Sequence, residues 1–235
     1  MLNTLYKYYP EMEEVINKLY VHSPNYFKKE NIEVKQFSGN TFKIHYKYGN
    51  SYTKIGIEIC ANELKGEAGA LPGNGKYDGQ LNDFLNYLLP NKKYIIDDCF
   101  VYETDQLGRV YKAQGDLTKA THLQRRKNRD QRYQLWIKEM DGHLNDEGGH
   151  IFANRFNGPS EKINIVPMNS EWQHRGGDWY EKVEERTSNY INEGKQVQLY
   201  IEMLYKGDNK RPYVFKTQIR TNGVIVFDKI LVNPD

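Results

Sequence analysis

A histidine preceded by two glycines, Gly148-Gly149-His150, is followed in order by Asn164-Ile165-Val166-Pro167, by Trp172-Gln173 and by Glu184. One imidazole, two carboxamides and one carboxylate are the groups that metal-assisted hydrolysis of a phosphodiester calls for. That chemistry needs a base near neutral pH to deprotonate water, positive charge on the non-bridging oxygens, and stabilisation of the departing oxyanion. Imidazole is the side chain whose ordinary pKa suits the first task, which makes His150 the candidate base. The two glycines before it would let a substrate backbone come close, and Ile151-Phe152-Ala153 after it would anchor it. A Gly-Gly-His triplet alone is weak, and the ordered set carries the reading.

These residues need elements to hold them. Lys162 to Pro167 is strand-like, and Pro167 is expected to end the strand by removing a ladder donor. Asn169-Ser170 then supplies a cap, so a short helix should open over Glu171 to His174. The spacing places the imidazole beside one strand of a hairpin and the Gln173 amide oxygen on the helix that follows. A neutral amide oxygen suits a hard cation such as Mg²⁺, which otherwise keeps its waters. The segment from Trp179 to Glu193 is helical in composition and stops at Gly194.

The rest of the chain reads as α+β. Leu5, Ile16, Leu19 and Tyr20 make a short amphipathic helix opened by Pro10. From Ile32 to Cys60 three alternating runs, broken at Ser38-Gly39-Asn40 and Gly49-Asn50-Ser51, predict a small antiparallel meander. The glycine-rich stretch from Glu67 to Gly79 is the best linker, so a boundary is expected there, dividing residues 1–75 from 76–235. Leu81, Phe84, Leu85, Leu88 and Leu89 share one helical face, and Pro90 would stop that helix. Beyond it, YIIDDCFVYET and RVYKA predict two strands, as do the alternating QVQLYIEMLY and YVFKTQIR. Asn222-Gly223 tolerates the positive dihedrals of a tight turn and predicts a hairpin there.

Composition bounds the function loosely. The net charge of +2 is too small to announce a nucleic-acid partner. Locally, however, THLQRRKNRDQR concentrates Arg125, Arg126, Lys127, Arg129 and Arg132 against Asp130 alone, enough to contact phosphates or to make a solvated helix face. Cys60 and Cys99 match no zinc spacing and are too few for a disulfide framework. There is no signal-peptide pattern at the N-terminus and no apolar run near the roughly 20 residues that span a bilayer. The chain is therefore expected to be soluble and to make no membrane contact, with any export using a signal outside this segment or of another type.

Taken together, DEGGH, NIVPMNSEWQ and WYEKVE resemble the DNA/RNA non-specific endonucleases of the His-Me finger (ββα-metal) class, most closely the toxin domains of bacterial secreted polymorphic toxins. The resemblance runs from about Lys93 to the C-terminus and includes VYETDQLGRV, KRPYVFK and ILVNP. It implies an antiparallel sheet carrying a ββα-metal nuclease core over 76–235, with residues 1–75 a small N-terminal α/β region of unassigned role. It also implies that His150 is the general base, Asn164 a polar support and Glu184 an acid that orients water on the metal. The family's metal ligand is an asparagine on the helix after the second strand, and Gln173 stands there. Glutamine sets the amide oxygen one methylene further out, so Asn169 and His174 are alternatives. The loop from Gln173 to Glu184 is longer than the family's usual one and carries Arg175-Gly176-Gly177. An upstream arginine neutralises the phosphate in the family, for which Arg129 and Arg132 are candidates, with Arg125 and Arg126 beside them for substrate docking.

The function so implied is sequence-non-specific cleavage of DNA, with RNA an open second substrate, using Mg²⁺ or alternatively Mn²⁺. The protein would be an antibacterial effector, secreted or delivered to act in the target-cell cytoplasm. A cognate immunity protein, with an acidic surface toward the basic stretch, would protect the producer. A catalytically impaired binding module of the same fold is the alternative that the Gln173 departure motivates. A zinc hydrolase is disfavoured because His143, His150 and His174 lie on no short ligand spacing.

Overall fold

The computed structural model describes residues 1–22, 32–48, 52–69, 81–120 and 141–235. Alternation of apolar and polar residues produces the expected meander at Ile32–Ser38 (β1), Thr41–Tyr48 (β2) and Tyr52–Cys60 (β3), with Glu63–Gly66 (β4) added antiparallel to β3. Two helices cover it, α1 at Leu2–Tyr8 and α2 at Glu11–His22, where a single helix was the sequence expectation. Pro10 separates them, and Glu11, Glu13 and Glu14 in the first turn of α2 suit the positive end of its dipole. Leu5, Met12, Ile16 and Leu19 are buried with Phe42, Ile44, Ile57 and Ile59 of the meander. Tyr9 ties this layer together, its hydroxyl donating to Asn40 O at 2.6 Å and accepting from Ala61 N at 2.7 Å.

Further strands follow at Lys93–Ile96 (β5), Phe100–Thr104 (β6), Val110–Asp116 (β7), Asp146–His150 (β8), Ile165–Asn169 (β9), Val197–Tyr205 (β10), Pro212–Thr221 (β11) and Val224–Val232 (β12). Among the described residues ten strands form one sheet, ordered β1-β2-β3-β4-β5-β6-β7-β10-β11-β12, and β8 and β9 form a separate hairpin. Its pairings are antiparallel except for β4 with β5. That parallel step lies across the expected boundary at 75/76, which itself falls in residues 70–80, outside the described residues. The two sides also share one hydrophobic cluster and the ion pair Lys92–Glu11 at 2.9 Å.

Two local expectations are corrected. The apolar run from Leu81 to Leu89 forms only a single 3-10 turn at Asp83–Leu85. Its backbone finds tertiary partners instead of a helical ladder: Leu89 N donates to the Tyr94 hydroxyl at 2.7 Å, and Thr104 Oγ1 donates to Leu89 O at 2.7 Å. Asn82 pins the start, its Nδ2 donating to Gly56 O and Glu67 O, so burial of Leu81, Phe84, Leu85 and Leu89 proceeds without a helix. The run YIIDDCFVYET is two strands, β5 and β6, because Asp97 and Asp98 both adopt a φ of 54° and reverse the chain. The Asn222-Gly223 turn is as expected, with φ of 50° and 82° between β11 and β12.

Candidate active site

The hairpin of β8 and β9 carries the first two motifs. Asp146 pairs with Asn169, Gly148 with Pro167 and His150 with Ile165, so His150 ends β8 where the chain leaves the hairpin. Pro167 lies within β9 and does not end it: among the described residues β8 and β9 pair only with each other, so β9 has an edge on which a missing N–H breaks no ladder. The loop from Ile151 to Asn164 returns the chain, and Asn164 braces it from inside. This side chain is fully buried and its amide is fully used: Oδ1 accepts from Phe152 N at 2.9 Å and from the Tyr102 hydroxyl at 3.0 Å, while Nδ2 donates to Phe152 O at 2.9 Å and Pro159 O at 2.8 Å. Ile151 N donates to Asn164 O at 2.8 Å. Asn164 therefore sets the backbone directly after His150 and ties it, through Tyr102, to the large sheet.

The helix expected after β9 forms at Ser170–Gln173, capped by Asn169 Oδ1 accepting from Trp172 N at 3.1 Å. This occupies Asn169, whose backbone N–H also donates to Asn233 Oδ1 at 3.0 Å. His174, just past the helix, pairs its Nε2 with Glu147 Oε2 at 2.9 Å. Gln173 folds back over the strand that carries His150: a Cβ added to Gly149 would meet Gln173 Oε1 at 2.7 Å and collide with Met168 Sδ. Close packing of these two side chains thus explains Gly149, where substrate approach was the sequence expectation. Gly149→Ala is expected to force Met168 and Gln173 away from the strand and to cost about 1–3 kcal/mol, the usual range for overpacking. Urea unfolding would check it, and an unchanged midpoint would mean that these two side chains give way freely.

Glu184 lies in a π-helical turn, Tyr180–Glu185, that runs into the helix Arg186–Asn192. Burial pushes its carboxyl up to about 7, against the attraction of Arg155 and a lesser pull from the Trp179 indole and from His174. The indole N–H closes no hydrogen bond of normal geometry. Arg155 Nε stands 4.0 Å from Glu184 Oε2, and Arg155 Nη1 donates to Glu185 Oε2 at 2.9 Å. Because the carboxyl titrates higher in the folded chain than its ordinary 4.5, stability falls as pH rises between these values and levels off above the folded one. Glu184→Gln is accordingly expected to raise stability by a few kcal/mol at about pH 8 and to change it little at about pH 4. Thermal unfolding at both pH values is the check, and equal midpoints at the higher pH would mean that the carboxyl is solvated.

A buried ion pair seats the hairpin on the large sheet. Asp146, at the start of DEGGH, accepts from Arg211 Nε at 2.6 Å and Nη2 at 3.0 Å, with both side chains almost wholly buried. Arg211 also donates to Asn233 O at 3.4 Å and to Pro234 O. Asn233 Nδ2 donates to Pro167 O at 3.1 Å and Pro212 O at 2.8 Å. The KRPY and VNP segments thus meet the hairpin at its base. Behind it Trp172, Trp179 and Phe215 form a mutual aromatic cluster with centroids 5.1–5.3 Å apart, so both tryptophans are core residues. Tyr180 packs against the Arg155 guanidinium at 5.2 Å.

The fold sets His150 at the end of β8, Asn164 under the backbone that follows it, Gln173 over Gly149, and Glu184 on the helical segment beyond, beside Arg155. Arg125, Arg126, Arg129 and Arg132 lie outside the described residues. Sequence reasoning missed Arg155, Arg211 and Asn233. Arg155, close behind His150 in IFANRF, had only its nearness to the motif as a signal, and Arg211 finds its partner 65 residues away.

A family model for DNA/RNA non-specific endonucleases matches residues 90–223, more than half of the chain. The chain belongs to that family, as its motifs implied. It is also similar to the type VII secretion system protein EssD of Staphylococcus aureus, from strains USA300 and NCTC 8325 / PS 47, at 28% identity over 141 residues. The similarity covers 58% of this chain and 22% of those relatives, so the chain spans about a fifth of their length. Among the described residues no helix is long and apolar enough to cross a membrane.

Proposed function

We propose that this chain is a metal-dependent nuclease of bacterial antagonism, hydrolysing DNA or RNA phosphodiesters without sequence preference. The observation that carries the reading is Gln173 Oε1 packed over Gly149, the residue next to His150 on the β8–β9 hairpin, in a chain of the non-specific endonuclease family. His150 takes a proton from the attacking water as its oxygen bonds to phosphorus, and the phosphorus bond to the leaving oxygen breaks. Glu184, as a carboxylate, orients that water, and Asn164 holds the backbone that aims the imidazole.

The residues present fit a hard divalent cation. Gln173 offers a neutral amide oxygen held over Gly149, a donor that suits such a cation. A cation of this kind characteristically takes one or two protein oxygens. Mg²⁺, or Mn²⁺ in its place, would be held by Gln173 and would supply positive charge to the phosphate oxygens and the leaving group. Residues 76–235 form the nuclease unit in this reading, and residues 1–75 elaborate its sheet. Similarity to EssD supports export and delivery into a target cell, and a cognate immunity protein is the partner such an activity requires. Arg125, Arg126, Arg129 and Arg132 would meet the substrate backbone or the immunity protein.

The test is incubation of the purified chain with plasmid DNA and with total RNA, in Mg²⁺ and in chelator. Degradation that requires the cation supports the reading and shows which substrate is preferred. Intact substrates in every condition would instead favour a binding module that keeps the fold.

A further inference from the structure

Arg155 stands between the two elements that carry His150 and Glu184. It belongs to the turn Asn154–Phe156 that follows His150, and it reaches across to the π-helical turn Tyr180–Glu185. Three contacts hold its guanidinium: Nη1 on Glu185 at 2.9 Å, and the rings of Phe156 and Tyr180 at 5.4 and 5.2 Å. Its Nε and Nη2 are buried and have no hydrogen-bond partner among the described residues, which puts them out of reach of an arriving phosphate. Nε is nevertheless 4.0 Å from Glu184 Oε2, so the cation acts on Glu184 by charge while Glu185 tethers it.

The π-helical turn makes this arrangement possible. Its i to i+5 spacing stacks residue 184 over Trp179 and residue 185 over Tyr180, whereas α-helical spacing would set residue 184 over Tyr180. The two consecutive glutamates then divide the work, Glu185 binding the arginine and Glu184 remaining beside it. Glu184 is faced by Arg155 from the 154–156 turn, by Trp179 and Glu185 from its own segment, and by His174 from the loop after Gln173.

We propose that Arg155 is a positioning residue for Glu184, locking the π-helical turn to the turn behind His150 and so fixing the two reacting side chains relative to one another. This rests on the nuclease reading given above. The test compares Arg155→Met, Arg155→Lys and Glu185→Gln with the parent chain. Turnover on a short DNA duplex should fall on the order of 100-fold in Arg155→Met, the cost of about 1 Å of misplacement. KM should stay within about twofold, because no substrate contact is lost. Arg155→Lys should recover most of the rate, and Glu185→Gln, which keeps the cation and loses its tether, should fall between.

An independent readout is the ¹³C carboxyl titration of Glu184 in metal-free protein, expected to move to higher pH in Arg155→Met and to return in Arg155→Lys. A rise in KM with turnover intact would assign Arg155 to substrate docking and overturn the proposal, as would an unmoved Glu184 titration. If Arg155→Met does not fold, the lysine and Glu185→Gln variants decide by the same two readouts. A parent chain that cuts nothing would refute the nuclease reading, while the carboxyl titration would still judge the positioning.

Discussion

Replacing His150 by alanine is expected to lower turnover of nucleic acid by a factor on the order of 10²–10⁴, the range that a positioned general base contributes. The side chain ends β8 and is part-exposed, so its loss opens no core cavity, and the unfolding midpoint should stay close to that of the parent. The two effects separate chemistry from folding. Plasmid and RNA cleavage followed beside thermal unfolding would measure both. Added imidazole should restore part of the rate to the alanine variant, since a small base can occupy the vacated place. A variant retaining the parent rate would remove His150 from the mechanism.

The largest expected loss of stability follows from Arg211→Met. Asp146 is wholly buried, and its carboxylate is neutralised by two nitrogens of Arg211, at 2.6 and 3.0 Å. Removing the guanidinium leaves that carboxylate with the backbone N–H of His143 as its remaining donor among the described residues, at 2.7 Å. Breaking a buried pair from one side costs about 3–5 kcal/mol, because the surviving charge stays in a medium that solvates it poorly. The arginine also holds the carbonyls of Asn233 and Pro234, so the C-terminal strand end should loosen at the same time. Urea unfolding of Arg211→Met, Asp146→Asn and the double variant would resolve the coupling, with the double variant recovering part of the loss. A single-variant loss below about 1 kcal/mol would mean that the pair is hydrated and does not seat the hairpin.

These two residues differ in how they could be known. The elements that carry His150 and Gln173 were legible because each is a short segment whose local pattern fixes it. The Asn169 cap starts the helix that carries Gln173, and strand pairing sets His150 opposite Ile165 of β9. The meander, β10 to β12 and the Asn222-Gly223 turn were legible for the same reason, since period-two burial and a left-handed dipeptide are properties of neighbours in sequence.

What stayed hidden was decided at long range. Leu81 to Leu89 has the apolar spacing of a helix, yet Tyr94, Thr104 and Gly56 satisfy the polar groups of this segment and Asn82, and the helix is not needed. The pairing of β4 with β5 across the glycine-rich stretch was not legible either, because strand edges bond wherever the fold brings them together. Arg211 gave no signal and Arg155 only its nearness to His150, as a guanidinium's role depends on which carboxylate lies opposite, and those carboxylates are 65 and 30 residues away. The sequence by itself determined the local parts of this protein, its strands, turns, cap and the order of its reactive groups. Only the tertiary structure decided which charges are buried together and which turn carries Glu184 to its place, because desolvation and pairing depend on neighbours that the chain supplies from far along its length.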